Sequence, residues 1–270
     1  MPAPLYLGLD LGSSWSKAVL LDQKGQVAAR ALRRTGIRFE EAADALLGEA
    51  LARAGAEQSA LARVTATGYG RRNVPFADSR RTEISCHAKG AWHHVGRECD
   101  VVDIGGQDNK IIHVRADGSV ANFLMNRKCA AGTGAFVEEI AHRLELPLEK
   151  IEEYAEAATK EITLSSFCTV FSATEVIKLI REGEGPENLC RGIFNSVVAR
   201  VAEMGPLGSF IVMTGGVAAA FPVVARLMAA RTGARVEVPP FAQYVGALGA
   251  ALAAAQEAGC PLPSREASLT

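Results

Sequence analysis

Two segments of the chain place an aspartate, a glycine and a lysine at the same relative positions. Each segment begins with an apolar run that ends at the aspartate, which is Asp10 in the first and Asp103 in the second. A glycine follows two residues later and a lysine seven residues later, so that Lys17 and Lys110 are equivalent. Because both runs are short, apolar and broken by turn residues, they predict two copies of one strand–turn–strand unit.

The turn in each copy has the composition of a phosphate-binding loop. Glycine has no Cβ and tolerates positive φ, so a turn rich in Gly and Ser lets backbone N–H groups approach an anion closely. A carboxylate at the end of the preceding strand can reach Mg²⁺ directly or through water. Two such turns facing each other would hold a nucleotide from both sides, whereas one turn alone is more typical of an ordinary hairpin.

Two common nucleotide-binding motifs are absent from the sequence. No Gly-x-x-x-x-Gly-Lys-Ser/Thr segment occurs, which excludes a P-loop. The segment Gly132-Thr-Gly134 is not completed to Gly-x-Gly-x-x-Gly and follows a cysteine, so it does not support a dinucleotide-binding fingerprint. The repeated turns therefore remain the candidate phosphate-binding elements.

Two of the six cysteines precede predicted helices. Cys129 lies beside two basic residues just before such a helix, and positive charge there stabilises the thiolate that binds metals. Cys168 has a related setting, because Ser172 and Glu175 have the spacing of a helix capping box. A cubane cluster takes four thiolates, which a two-fold dimer could supply from two cysteines per chain. Without a compact Cys-x-x-Cys run, the alternative that both are ordinary buried thiols stays open.

The remaining cysteines and the histidines near them lack a complete metal-binding pattern. We predict that Cys86, Cys99, Cys190 and Cys260 are structural residues. The histidines that follow Cys86 are predicted to lie on a helix surface; they are His87, His93 and His94.

Apolar periodicity between these motifs predicts alternating helices and strands, which indicates an α/β fold. The predicted helices span residues 39–54, 83–92, 135–144 and 151–158, and the predicted strands span 62–67, 210–213 and 235–238. The repeat places a lobe boundary near residue 95. We therefore predict an N-terminal lobe over 1–95 and a C-terminal lobe over 96–270, with the C-terminal helix packing back on the first lobe.

Composition and charge narrow the class of protein. A formal net charge of −1 over 270 residues gives no electrostatic reason to expect nucleic acid or an anionic membrane as a partner. The apolar stretch 241–255 is shorter than the ~20 residues of a transmembrane helix, so a buried helix is predicted there. Scattered cysteines and a start without the basic region of a secretion signal predict a cytoplasmic protein.

Six motifs in chain order, between about residues 5 and 255, resemble the 2-hydroxyacyl-CoA dehydratase activators, the BadF/BadG/BcrA/BcrD-type ATPases. The motifs are Gly8-Leu-Asp-Leu-Gly-Ser-Ser-Trp-Ser-Lys17, Asp103-Ile-Gly-Gly-Gln-Asp108, Lys128-Cys-Ala-Ala-Gly-Thr-Gly134, Ser166-Phe-Cys-Thr-Val-Phe171, Thr214-Gly-Gly-Val217 and Gln243-Tyr-Val-Gly-Ala-Leu-Gly249. The two cysteine contexts make the resemblance specific, because sugar kinases of the same fold do not share them.

The resemblance implies a duplicated fold of the actin/hexokinase/Hsp70 (ribonuclease H-like) type, with two lobes around a nucleotide cleft. It implies a homodimer in which Cys129 and Cys168 of both chains hold one [4Fe–4S] cluster. ATP binding and hydrolysis, with Mg²⁺, would then drive an electron from ferredoxin or flavodoxin to a partner iron–sulfur enzyme. That partner would be a 2-hydroxyacyl-CoA dehydratase, with a benzoyl-CoA reductase-like or double-cubane cluster protein as the alternative.

The resemblance also implies roles for individual residues. Asp10 and Asp103 would hold Mg²⁺, and Asp103 and Gln107 are the candidates for orienting the attacking water. The nucleotide-binding set would be Asp10, Gly12, Ser13, Ser14, Lys17, Gly105, Gly106, Gln107, Thr214, Gly215, Gly216, Val217 and Gln243.

Two other functional classes remain as alternatives from the sequence. A small-molecule kinase of the same fold would be colourless and would need neither Cys129 nor Cys168. A nucleotide-sensing scaffold would bind ATP without appreciable hydrolysis.

Overall fold

The structure, a computed structural model, describes residues 3–127, 129–164 and 169–260. The chain divides into two compact units. Of the described residues, unit 1 comprises those up to Glu98, Ile112–Asn122 and those from Gln243 on, whereas unit 2 comprises Cys99–Ile111 and Phe123–Ala242. The lobe boundary at residue 95 stays a prediction. The C-terminal helix, Val245–Glu257, lies in unit 1.

The strands and helices follow one another in two similar series. The strands are β1 (Leu5–Leu11), β2 (Trp15–Leu21), β3 (Val27–Arg34), β4 (Leu61–Thr67), β5 (Ser79–Arg80), β6 (Cys99–Ile104), β7 (Asn109–Val114), β8 (Val120–Asn126), β9 (Phe210–Thr214) and β10 (Arg235–Glu237). The helices are α1 (Phe39–Ala54), α2 (Glu83–Val95), α3 (Gly134–Arg143), α4 (Ile151–Glu156), α5 (Thr169–Arg181), α6 (Pro186–Glu203), α7 (Gly215–Ala220), α8 (Pro222–Thr232) and α9 (Val245–Glu257).

Two five-stranded sheets have the same strand order, which confirms the internal repeat predicted from the sequence. The first sheet is ordered β3-β2-β1-β4-β5 and the second β8-β7-β6-β9-β10. The strand that carries the aspartate is central in both, and it pairs in parallel with β4 in the first sheet and with β9 in the second. The Cα partners also correspond, since Asp10 lies opposite Thr67 and Asp103 lies opposite Thr214.

Strand β1 is buried on both faces because each face packs on a different helix. All seven of its residues are buried, and a strand that is buried on both faces is apolar along most of its length instead of alternating with polar residues. Side chains alternate between the two faces of a strand. The leucines at odd positions, such as Leu7 and Leu9, pack in one cluster with Leu46 of α1, and Tyr6 packs with Ala251 of α9.

Helix α9 approaches its neighbours so closely that glycine is required at the contact. A methyl group added at Gly249 would lie 1.8 Å from the carbonyl oxygen of Cys86 in α2. We therefore expect Gly249→Ala to lower the free energy of unfolding by about 3 kcal/mol or more, because the two helices would have to separate.

Urea unfolding followed by tryptophan fluorescence measures this change, because Trp15 and Trp92 both lie in unit 1. Gly48 in α1 provides the matched control, since an added methyl group would have no heavy atom within 4 Å. Gly48→Ala should raise the free energy of unfolding by about 0.5–1 kcal/mol, because alanine is the better helix former. Equal stability of the two variants would contradict the close contact of α9 with α2.

Two predictions about helices have different outcomes. The apolar stretch 241–255 does hold a buried helix, α9, as predicted. The capping box is wrong, because α5 already begins at Thr169 and Ser172 is a buried residue within the helix. Residues three apart share a helix face, so the Ser-x-x-Glu spacing also arises inside helices. Within the described ranges, no helix combines the length and apolarity needed to cross a membrane.

Candidate functional site

The first predicted phosphate turn connects β1 to β2 in unit 1. Asp10 is nearly buried at the end of β1, and its carboxylate Oδ2 lies 3.5 Å from Lys17 Nζ on the adjacent strand. The connecting turn exposes Ser13 to solvent. Its backbone is fixed by Thr35, whose Oγ1 donates to the carbonyl oxygen of Gly12 at 2.8 Å and whose N–H donates to that of Ser14 at 3.0 Å. The hydrogen bonds from Thr35 therefore hold the backbone of the turn, and the polar side chain of Ser13 lies at the surface.

The second predicted turn connects β6 to β7 in unit 2. It has the same arrangement, but its lysine is more deeply buried. Lys110 is fully buried, and its Nζ lies 3.0 Å from Asp103 Oδ2 and 3.0 Å from Asp108 Oδ2. The other oxygen of Asp103 accepts a hydrogen bond of 3.2 Å from Thr214 Oγ1. Gln107, the other predicted catalytic residue, is exposed in this turn. Each aspartate thus sits at a strand end with the equivalent lysine beside its carboxylate.

A second element of the repeat is a Thr-Gly pair in each unit, of which sequence reasoning identified Thr214-Gly215 and missed the equivalent Thr67-Gly68. Gly68 follows Thr67 at the end of β4, as Gly215 follows Thr214 at the end of β9, and their φ values are 90° and 93°. A Cβ at Gly68 would lie 2.7 Å from Asp10 Oδ1, and one at Gly215 would lie 2.6 Å from Asp103 Oδ1. The Thr-Gly dipeptide at the end of a strand in both halves was the signal that could have identified Gly68.

His87 also lies near the first aspartate, which corrects the prediction that it is on a helix surface. It is buried, because its face of α2 packs against α9. A methyl group at Gly246 would lie 2.8 Å from His87 Nε2 and 3.0 Å from Asp10 Oδ2, so both side chains converge on this glycine. His87 is therefore part of the surroundings of Asp10, and only its glycine neighbour leaves room for it.

The remaining predicted nucleotide-binding residues occupy strand and helix ends. Gly216 and Val217 lie in the first turn of α7, where Gly216 is half-buried and Val217 packs in the core of unit 2. Gln243 of unit 1 is half-buried in a short 3₁₀ helix just before α9. The role of each of these residues in binding stays a prediction.

Among the cysteines that the structure describes, Cys129 has distinct surroundings. It is half-buried, lies five residues before α3, and its Sγ accepts a hydrogen bond of 3.4 Å from the N–H of Ala131. Backbone N–H donors to sulfur are a feature of cysteines that ligate iron–sulfur clusters. Burial instead raises the pKa of Cys86 to about 11 and that of Cys190 to about 12, which keeps those thiols protonated at neutral pH.

The second predicted ligand, Cys168, and the neighbouring Lys128 lie outside the described residues. Within those residues, no group of three or more His, Cys, Asp or Glu side chains is arranged to hold a metal ion. Ligation of a cluster by Cys129 and Cys168 therefore stays a prediction.

Comparison with known proteins gives consistent results over almost the whole chain. The sequence matches the model of the BadF/BadG/BcrA/BcrD ATPase family over residues 7–254. An activator of lactoyl-CoA dehydratase from Anaerotignum propionicum is 43% identical over 257 residues, which cover 93% of this chain and 98% of that protein.

Two solved structures are similar throughout. The component A of (R)-2-hydroxyglutaryl-CoA dehydratase from Acidaminococcus fermentans has a TM-score of 0.90 and 38% identity, covering 95% of this chain and 100% of that chain. The activator of the 2-hydroxyisocaproyl-CoA dehydratase from Clostridium difficile, with bound ADPNP, has a TM-score of 0.87 and 36% identity, covering 94% of this chain and 96% of that chain.

These likenesses, together with the two sheets of equal order, confirm the predicted duplicated α/β fold of the actin type. They also confirm the resemblance carried by the six sequence motifs. The chain belongs to the BadF/BadG/BcrA/BcrD ATPase family.

Proposed function

We propose that this ATPase is the electron-transfer activator of a partner iron–sulfur enzyme in the cytoplasm. The partner is a 2-hydroxyacyl-CoA dehydratase, because the similar proteins are activators or components of dehydratases that act on lactoyl-, 2-hydroxyglutaryl- and 2-hydroxyisocaproyl-CoA. Reduced ferredoxin or flavodoxin serves as the electron donor, and the working form is a homodimer.

The observation that carries the proposal is the setting of Cys129. Its sulfur accepts a backbone N–H at the approach to α3, and it is half-exposed where the other described cysteines are buried. A [4Fe–4S] cluster would be held by Cys129 and Cys168 from both protomers and, when bound, would supply one-electron redox chemistry. A small-molecule kinase has no use for a cysteine in this setting.

In the proposed ATPase activity, the repeated turns bind the nucleotide and Mg²⁺. Asp10 and Asp103 offer carboxylate oxygens at strand ends, which are the donors that Mg²⁺ takes beside nucleotide phosphates. Lys110 fixes the position of the Asp103 carboxylate, and Thr214 fixes its other oxygen. Exposed Gln107 and the carboxylate of Asp103 remain the candidates for orienting the attacking water. The ADPNP bound to the Clostridium difficile activator supports ATP as the ligand.

The test is the iron and acid-labile sulfide content of protein purified without oxygen and reconstituted. We expect about four irons per dimer in the wild type and a brown colour that is lost in both Cys129→Ser and Cys168→Ser, because each variant removes two of four thiolates. Cys190→Ala is the matched control, since Cys190 is buried within α6 and should leave the iron content unchanged.

ATP hydrolysis measured on the same samples separates the alternatives. Wild type that stays free of iron after reconstitution but hydrolyses ATP would contradict the proposal and favour the small-molecule kinase. Partner identity is tested separately, by whether the reduced protein with ATP starts turnover of a purified 2-hydroxyacyl-CoA dehydratase. If the dehydratase stays inactive while a benzoyl-CoA reductase-like enzyme is reduced, the proposed partner class is wrong. The proposed activator function would still stand.

A further inference from the structure

Asn109 is a buried polar side chain that the proposed chemistry does not use. It is the first residue of β7 and follows directly after the second phosphate turn. Its side chain is completely buried, and its Nδ2 donates a hydrogen bond of 2.9 Å to the carbonyl oxygen of Gly132. Gly132 lies in the loop between Cys129 and α3. Asn109 therefore joins the phosphate turn to the segment that carries the cysteine.

The start of α3 is bonded to the same turn through its backbone. The N–H of Gly134 donates to the carbonyl oxygen of Gly105 at 2.9 Å, and that of Ala135 donates to Gly106 at 2.8 Å. The first residues of the helix are therefore held by two residues of the predicted phosphate-binding set. A movement of this turn changes both bonds.

The loop from Cys129 to α3 has little room to absorb such a movement. Thr133 donates to the carbonyl oxygen of Ala130 through both its N–H, at 3.1 Å, and its Oγ1, at 2.6 Å. Gly132 adopts a φ of 81°, and a methyl group there would lie 2.7 Å from Arg200 Cβ. Because the loop is bonded to itself and packed on α6, Gly132 and Cys129 belong to one tightly constrained segment.

The second polar atom of Asn109 points to a positioning role. Its Oδ1 is buried and has no hydrogen-bond partner among the residues that the structure describes. An unpaired buried acceptor is unfavourable, and an apolar side chain of similar size would avoid it. The amide is therefore better explained by the bond of its Nδ2 to Gly132 than by packing.

We propose that Asn109 is a positioning residue that couples the nucleotide bound at residues 105–107 to the conformation of the Cys129 loop. The proposal rests on the proposed function only in taking these residues as a phosphate-binding turn. A phosphate that draws the turn toward itself displaces β7 at Asn109 and α3 at Gly134 together. Without the side chain, the backbone bonds of Gly134 and Ala135 are the remaining link to the turn that is described above, and the loop follows the turn less.

The experiment measures how fast iodoacetamide alkylates Cys129 in the full-length, iron-free protein with ADP or with ADPNP. Peptide mass spectrometry resolves each cysteine, and the buried Cys190 reports global unfolding. We expect the wild-type rates with the two nucleotides to differ by about fivefold or more. In Asn109→Ala, this ratio should fall toward one, because only the backbone bonds of Gly134 and Ala135 to the turn remain, while calorimetry shows that ADPNP still binds.

Asn188→Ala is the matched control, because Asn188 is another buried asparagine of unit 2 and bonds the backbone N–H groups of Thr159 and Lys160 instead. It should keep the wild-type ratio. Asn109→Ser, which is too short to reach Gly132, replaces Asn109→Ala if that variant does not fold. A wild-type ratio of one, an unchanged ratio in the Asn109 variants, or their failure to bind ADPNP would each overturn the proposal. Iron is absent from this experiment, so its outcome is independent of whether the cluster exists.

Discussion

Asp103→Asn should reduce the rate of ATP hydrolysis by about 10²–10⁴-fold, the range typical of a lost catalytic base or charged stabilising group. The substitution keeps the size of the side chain, so Thr214 can still donate to the remaining oxygen. Lys110 keeps the carboxylate of Asp108 at 3.0 Å, so its charge stays compensated. The loss should therefore appear in catalysis while the protein remains folded. Phosphate release at saturating ATP measures it.

Asp100→Asn is a control matched in strand, burial and chemistry. Asp100 lies in the same β6 and is nearly buried, but its carboxylate accepts a hydrogen bond from the backbone of Gly208 instead of pairing with Lys110. It should retain most of the hydrolysis rate. Similar rates in the two variants would mean that Asp103 has a structural role, like Asp100, and would remove it from the proposed site.

The duplication of the fold could be predicted from the sequence because both copies contain the same short motif at the same position in the fold. Asp10 and Asp103 end central strands, and in each copy the lysine seven residues later lies on the adjacent strand. Period-two and helical patterns located the elements nearby, such as α1 at Phe39–Ala54. Such a motif determines both the turn and the pairing of the two adjacent strands. It can therefore be recognised in the sequence without knowledge of the tertiary structure.

Strand β3 shows where local patterns fail. No element was predicted over Val27–Arg34, which consists mainly of alanine and arginine, residues that favour helices. Its pairing with β2 across the whole length of that strand outweighs this preference. Tertiary context of this kind leaves little trace in a single sequence.

The candidate site could be predicted in part. Residues of the turns were identified by composition, but His87 and Gly68 were not, because their proximity to Asp10 arises from packing between distant segments. The link from Asn109 to Gly132 is likewise a contact between a strand and a loop that no spacing predicts. Motifs therefore identified the candidate ligand-binding groups, whereas the residues packed around them could be found only from the structure.

Removal of the buried lysine of unit 2 should have the largest effect on stability. In Lys110→Met, we expect the free energy of unfolding to fall by about 3–5 kcal/mol, because two carboxylates near one buried site lose their common cation. Methionine has a similar length and fills the space, so packing contributes little to the loss. Far-UV circular dichroism in urea is the measurement, since both tryptophans lie in unit 1 and would not report on unit 2.

The repeat itself provides the control, because Lys17→Met makes the same change at the equivalent position of unit 1. Lys17 is more exposed, with 14% of its side chain accessible against 2% for Lys110, and it lies 3.5 Å from Asp10. The longer separation and the greater access of water weaken this pair, so we expect a smaller loss than in Lys110→Met. If the two variants lose the same stability, burial does not determine the strength of these pairs. A larger loss for Lys110→Met would instead mean that the fold itself holds the carboxylate of Asp103 in unit 2 in place, before any nucleotide binds.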